Sequence, residues 1–520
     1  MPNQSAQPES RVKKTLLNAR VNLIFYLLTL VLSFFSRKIF LDCLGADFVG
    51  LTGTLQNLLG FLNLAELGIG SAIGYVLYKP LFEHDQNKIN EIISVMGYLY
   101  RIIGFIILIS GIILSCFLPL IFPDTGFHIS LIFFAYYAFL GSSLIGYFIN
   151  YRQNLLGADQ RNYVITGYFQ SITILKTLIQ MTLAYYTGSY YLWIAIEFIF
   201  GIIYSFILNW KINQTYPWLK TEVSKGRELL KKHPLIIKNT KRIFLHKIGI
   251  VTQWQAMPIL IYAFVSLRMV AYYENYSLLA TKLLGLLNSV LGSTEAAVGN
   301  LIAEGNKSKI ERVLWEMMSI RYWVSIYVVA ILYFILPPFI TLWIGPEYVL
   351  SSTVLILIIL NIFVQTTQSC LGQFIYGFGL FNDVWATLTQ SGIFLILAII
   401  FGKYYGLSGI IGASVISLWL AYGVWKPYFL YRYGFKYPIW QYWKKWIKII
   451  FYTCIAIVLI VISENFLNTI IPNPNESYLN LFFYSLILLT ITTTISSIIM
   501  LSFNPYSRVI INRFKKNDKQ

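Results

Sequence analysis

Runs of about twenty or more residues with hardly a charge recur along the whole chain, and no other feature limits its fold so tightly. A backbone in hydrocarbon finds no water. Each run must therefore satisfy its own N–H and C=O groups, as a helix, or share them across a closed barrel. Barrel strands alternate apolar and polar residues, and these runs do not. The predicted fold class is all-α, a polytopic membrane protein. Composition agrees: charged residues make up 12% of the chain and mean hydropathy is +0.64, which no soluble surface of this size would carry.

The runs read as spans at 15–41, 48–79, 91–121, 127–151, 163–187, 189–211, 241–267, 271–303, 313–342, 349–379, 382–404, 406–431, 441–466 and 477–502, about fourteen transmembrane helices. Two joints are short. One is Leu41–Gly50, with Asp42, Gly45 and Asp47; the other is Gly377–Asp383, where Gly377, Gly379 and Asn382 signal a tight turn.

Lys and Arg set the orientation. Thirty of the forty fall in the loops of one side, nine of them between Lys211 and Arg242, while the opposite loops hold Arg268 and Lys403, with Arg37 and Lys38 at the end of the first span. Both termini are thus predicted to be cytoplasmic. The net charge of +18 is accounted for by this topology and by anionic lipid, not by nucleic acid. The apolar run Val21–Phe40 is too long for a signal core and lacks a small-residue cleavage site, so it reads as a retained first helix. Cys43, Cys116, Cys370 and Cys454 lie far apart, as do the four His, so no disulfide, metal or other cofactor is predicted.

A shift of 225 positions lays Leu58, Leu59, Gly60, Leu62, Asn63 and Gly74 on Leu283, Leu284, Gly285, Leu287, Asn288 and Gly299. An offset that covers an even number of spans keeps the repeats parallel. The chain then divides into a six-helix lobe within 1–211, a linker at 212–240, a second six-helix lobe at 241–431, and a terminal helix pair with a basic tail at 432–520. The two lobes are predicted to be pseudo-symmetric. The linker mixes Lys220, Lys225, Arg227, Lys231 and Lys232 with Trp218, Leu229, Leu230, Leu235 and Ile236 between Pro217 and Pro234, the pattern of a short amphipathic interfacial helix.

The stretch Ala65-Glu66-Leu67-Gly68-Ile69-Gly70-Ser71-Ala72-Ile73, followed by Leu77-Tyr78-Lys79-Pro80-Leu81, Asp85 and Lys88-Ile89, resembles the polysaccharide transporters of the multidrug/oligosaccharidyl-lipid/polysaccharide exporter superfamily. The likeness extends to the fourteen-helix layout, the two lobes and the terminal pair. It implies a V-shaped bundle with alternating access in the bacterial inner membrane. It also implies a cargo of lipid-linked oligosaccharide, such as O-antigen or capsule repeat units on undecaprenyl pyrophosphate.

Charges inside spans cost about 2.5–3.5 kcal/mol on insertion scales, so they usually face a cavity or a partner. The clear cases are Glu66, Arg101, Lys176, Glu197, Lys247, Lys282, Glu295 and Arg321. The excess of cations suits a pyrophosphate headgroup, which Arg grips in forked hydrogen bonds and Lys by a point charge. Gln56, Asn63 and Gly70 recur every seven residues, as do Thr281, Asn288 and Glu295, and Asn22 becomes Lys247 under the repeat shift. These stripes either glue helices together or line a common cavity. The candidate cavity residues are Asn22, Asn63, Arg101, Lys247, Lys282 and Asn288, and the candidate ion-coupling acids are Glu66 and Glu295. Lys176 and Glu197 read as a structural ion pair on adjacent helices, and Arg321 as a residue that snorkels to the cytoplasmic interface.

No G-x-x-x-x-G-K-[ST] loop is present, so coupling to an H⁺ or Na⁺ gradient is expected rather than ATP drive. The loops are too short for an oligosaccharide polymerase or ligase site and carry no D-x-D of a glycosyltransferase, so the chain does not read as an enzyme. An ion-coupled small-molecule or multidrug exporter of the same superfamily is the main rival. The expected partners are the lipid-linked substrate, membrane lipids and a coupling ion.

Overall fold

The computed structural model describes residues 11–66, 68–123, 125–291, 295–380 and 383–509, which fold as helices with no strand among them. The chain is an all-α, multi-pass membrane protein. Nine segments of the described residues are long and apolar enough to cross a membrane. One of them, 385–435, is long enough for two crossings. It bends at Gly406, whose φ of +55° and ψ of −132° are non-helical. A Cβ on Gly409 would strike the Phe401 backbone. Residues eight apart in a straight helix are about 12 Å apart, so the chain reverses here, at the joint predicted between the eleventh and twelfth spans.

By length and composition, the predicted second, fifth, seventh and eighth spans are absent from the crossing segments. Three of those four, the second, seventh and eighth, carry Asn63, Glu66, Lys247, Lys282 and Asn288. Helices too polar to face lipid along their whole length must be covered by other helices or by water.

The chain forms two compact units, Met1–Ile259 and Leu260–Gln520. The first contains α1 (Arg11–Leu44), α2 (Ala46–Leu62), α3 (Ile69–Glu83), α4 (Gln86–Ser115), α5 (Ile129–Phe148), α6 (Asn162–Thr187), α7 (Tyr190–Thr215), the short α8 (Gly226–Lys232) and most of α9 (Pro234–Phe264). The stretch 241–259, which the repeat assigns to the second lobe, packs with this unit. Gly45, with φ of +90°, divides α1 from α2 at the first predicted joint. Lys176 on α6 donates to Glu197 on α7 at 2.6 Å, the predicted ion pair.

The linker docks on protein through its backbone and its histidine. The Lys220 and Glu222 amides donate to Asn90 Oδ1 at 3.0 Å and Ser94 Oγ at 2.9 Å, and His233 Nε2 lies 3.2 Å from Glu91 Oε2. All three partners stand in the first turns of α4. The predicted short helix is α8, between Pro217 and Pro234.

The second unit holds α10 (Leu267–Leu291), α11 (Glu295–Ala303), α12 (Lys307–Ala330), α13 (Ser352–Gln368), α14 (Val384–Leu418), α15 (Trp440–Leu467) and α16 (Tyr478–Phe503). Its core is aromatic and polar at once. Tyr442 of α15 donates to Gln368 Oε1, while Gln368 Nε2 and Trp446 Nε1 converge on Tyr322 of α12 at 2.9 and 2.7 Å. The terminal pair is thereby built into the unit.

Arg321 does not snorkel. It is only 3% exposed, and its guanidinium donates to Ser369 Oγ at 2.7 Å, to Leu291 O at 3.2 Å and, at 3.4 Å, to Thr366 O. Leu291 ends α10, and Thr366 and Ser369 lie at the end of α13. Oxygens from two helices that are distant in sequence hold the cation where it stands.

Candidate functional site

The second span is not one helix. After Leu62 the chain tightens into a 3₁₀ turn, Asn63–Glu66, and Gly68 is left-handed at φ +96° before α3 begins. The seven-residue stripe Gln56, Asn63, Gly70 therefore does not lie on a common helix face, since the break falls inside it. The break itself gathers the polar groups. It opens a cavity of about 330 Å³ lined by Gly60, Asn63, Glu66, Gly68, Gly70, Ser71, Lys247, Val251 and Gln255, all within the first unit.

Glycine lets α9 close on this break. A Cβ on Gly60 would collide with the Gln255 amide, and one on Gly68 would stand 2.9 Å from Thr240 O. Between these two approaches, Lys247, Val251 and Gln255 face the cavity at intervals of four residues along α9.

Asn63, Glu66 and Lys247 are each held by a named partner. Tyr100 on α4 donates its phenol proton to Glu66 Oε1 at 2.6 Å. Ser143 and Tyr147 on α5 both donate to Asn63 Oδ1, at 3.0 and 3.1 Å. The Tyr100 and Tyr147 rings meet edge to face with centroids 5.6 Å apart. Lys247 Nζ reaches Ser71 Oγ at 3.4 Å, a long and weak bond. The ammonium and the carboxylate thus share one cavity while each is bonded to a neutral side chain.

The predicted site residues separate accordingly. Asn63, Glu66 and Lys247 come together. Asn22 is exposed on α1 and outside the cavity lining. Arg101 is also exposed, on the apolar strip of α4 with Phe105 and Ile109. Its neighbour Tyr100 takes the inward position, and one residue along a helix turns the side chain by about 100°. Lys282 and Asn288 stand on α10 of the second unit, with Asn288 exposed and Lys282 partly so. Glu295 opens α11, and its side chain lies outside the described residues.

Sequence reasoning missed Tyr100, Tyr147, Ser71 and Gln255. The four-residue spacing of Lys247, Val251 and Gln255 was a usable signal for the last of these. Nothing marked the two tyrosines among the 38 in the chain.

No family profile matches the sequence, and no curated protein does. Solved structures do match. The lipid II flippase MurJ, in an inward closed conformation, superposes with a TM-score of 0.62 at 17% identity, over 95% of this chain and 100% of that one. The chain has that fold. An inward-facing multidrug resistance MATE family transporter of the MOP superfamily superposes with a TM-score of 0.55 at 16% identity, over 78% of this chain and 97% of that one. The flippase match leaves out 5% of the 520 residues, about 26, which is fewer than the 28 residues of α15. At least one helix of the terminal pair therefore takes part in it.

Proposed function

We propose that this chain is a flippase for lipid-linked oligosaccharide, which moves undecaprenyl-pyrophosphate-linked polysaccharide repeat units across the bacterial inner membrane by alternating access, with both termini cytoplasmic. The observation that carries the reading is Lys247, a cation in a polar cavity at a broken helix of a fold shared with a lipid flippase. A diphosphate loses its hydration on entering such a passage, and charge-assisted hydrogen bonds compensate. Lys282 and Asn288, the repeat counterparts of Asn57 and Asn63, are the second unit's candidate cargo contacts. Glu66 and Glu295 are the acids through which an H⁺ or Na⁺ gradient would act.

Glu66 favours a second reading, a multidrug exporter of the MATE type, because an acid in the cavity suits cationic drugs. Complementation of surface-polysaccharide production in a flippase-deficient strain separates the two, with membrane protein levels measured in parallel. Lys247→Glu and Lys282→Glu should abolish glycan at normal protein level and should be worse than the Ala variants, because a like charge opposes the headgroup. Arg101→Glu, outside the cavity, should be milder. Wild-type glycan in both Lys variants would take these residues out of the cargo path, whereas no glycan from the wild-type chain at normal protein level, together with drug resistance conferred by it, would turn the assignment to the exporter.

A further inference from the structure

Glu66 and Lys247 line the same cavity, yet each is bonded to a neutral partner, Tyr100 and Ser71. Among the described residues, the titratable and charged groups around Glu66 are Tyr100 from α4, Tyr147 from α5 and Lys247 from α9. Asn63 Oδ1 already accepts two hydrogen bonds, its full capacity, and so is closed to an incoming ion. A proton is the simplest partner left for the carboxylate. With Glu66 ionised, the charges of the pair cancel. With Glu66 protonated, the cavity carries one net positive charge.

We infer that protonation of Glu66 switches the cavity from a weak to a strong site for phosphate-bearing anions, with Lys247 as the binding cation. This deepens the flippase reading and rests on it. Linkage makes the effect reciprocal, since an anion on Lys247 must favour the proton on Glu66 by the same factor. Proton and anionic cargo then occupy the cavity together. That is the opposite of exchange, so of the two acids proposed for coupling it leaves any counter-ion drive to Glu295. Glu66 acts as a positioning and tuning residue for the loading step.

The probe is inorganic pyrophosphate, with the full-length protein in nanodiscs of zwitterionic lipid so that no anionic headgroup competes. Affinity is measured against pH for wild type, Glu66→Gln and Lys247→Gln. The ratio of Glu66→Gln to wild type cancels the titration of pyrophosphate itself. It should be about tenfold at alkaline pH, the scale of one charge–charge interaction at intermediate dielectric, and should fall to one on acidification. Tyr100→Phe provides a second route if Glu66→Gln does not fold. It keeps the carboxylate but removes the hydrogen bond that holds it, so its pH profile should differ from that of wild type. Lys247→Gln should lose binding at every pH. Undiminished binding in Lys247→Gln would overturn the anion-site reading. Loss of binding in Lys247→Gln, combined with an unchanged pH profile in Glu66→Gln or Tyr100→Phe, would overturn the switch alone.

Discussion

Replacing Gly68 by alanine tests whether the break in the second span builds the cavity. At φ +96° and ψ −21°, an L side chain costs about 1–2 kcal/mol from the backbone conformation alone. The new Cβ would stand 2.9 Å from Thr240 O, 3.0 Å from Ile243 Cβ and 3.1 Å from Phe244 N. Two of the three are backbone atoms of α9, so the helix must move, which adds about 1–3 kcal/mol of overpacking. The total, about 2–5 kcal/mol, corresponds to a fall in unfolding temperature on the order of 10 °C for a unit of this size. Gly74→Ala is the control. It lies inside α3 with open space around it and should be neutral or gain up to about 1 kcal/mol in helix propensity. Unfolding of the purified protein in detergent, followed by tryptophan fluorescence, reads both, and glycan complementation reads the cavity. If Gly68→Ala melts with wild type and restores glycan, neither the left-handed turn nor the close approach of α9 matters.

Arg321→Ala should destabilise the second unit by about 3 kcal/mol, because three buried acceptors lose their shared cation; chemical denaturation in detergent measures it, and Arg321→Lys should recover only part of the loss, having no fork to span three acceptors. Lys176→Met and Glu197→Gln should each cost on the order of 2 kcal/mol by leaving a partner charge within the membrane, and the double variant should cost less than the two singles summed. Reporter fusions after Gly188, Pro346 and Pro474 should report periplasm, and those after Lys225, Lys309 and Lys516 cytoplasm; a cytoplasmic signal at Pro346 alone would break the span order in the second half.

The sequence by itself determined the solvent of this protein, because hydrocarbon admits no backbone group without a partner and fourteen apolar runs cannot all be buried in a soluble core. It also marked local punctuation. Gly45 and Gly406 lie at predicted joints, since only residues tolerant of positive φ end helices so sharply. The Lys176–Glu197 pair was legible because a charge in a span needs a partner and the two stand on neighbouring helices.

Which way a side chain points was decided by the tertiary structure alone. Tyr100 and Arg101 are adjacent, and packing turned the phenol inward to Glu66 and left the guanidinium on the apolar strip. Helical periodicity carried the Gln56–Asn63–Gly70 stripe straight through residues 63–68, where the chain instead tightens and turns left-handed. Apolar patterning cannot register such a break, because its stability comes from α4, α5 and α9 packed around it. Arg321 shows the same division: its charge predicted a need for water or a partner, and only acceptors on two helices distant in sequence supplied one inside the protein.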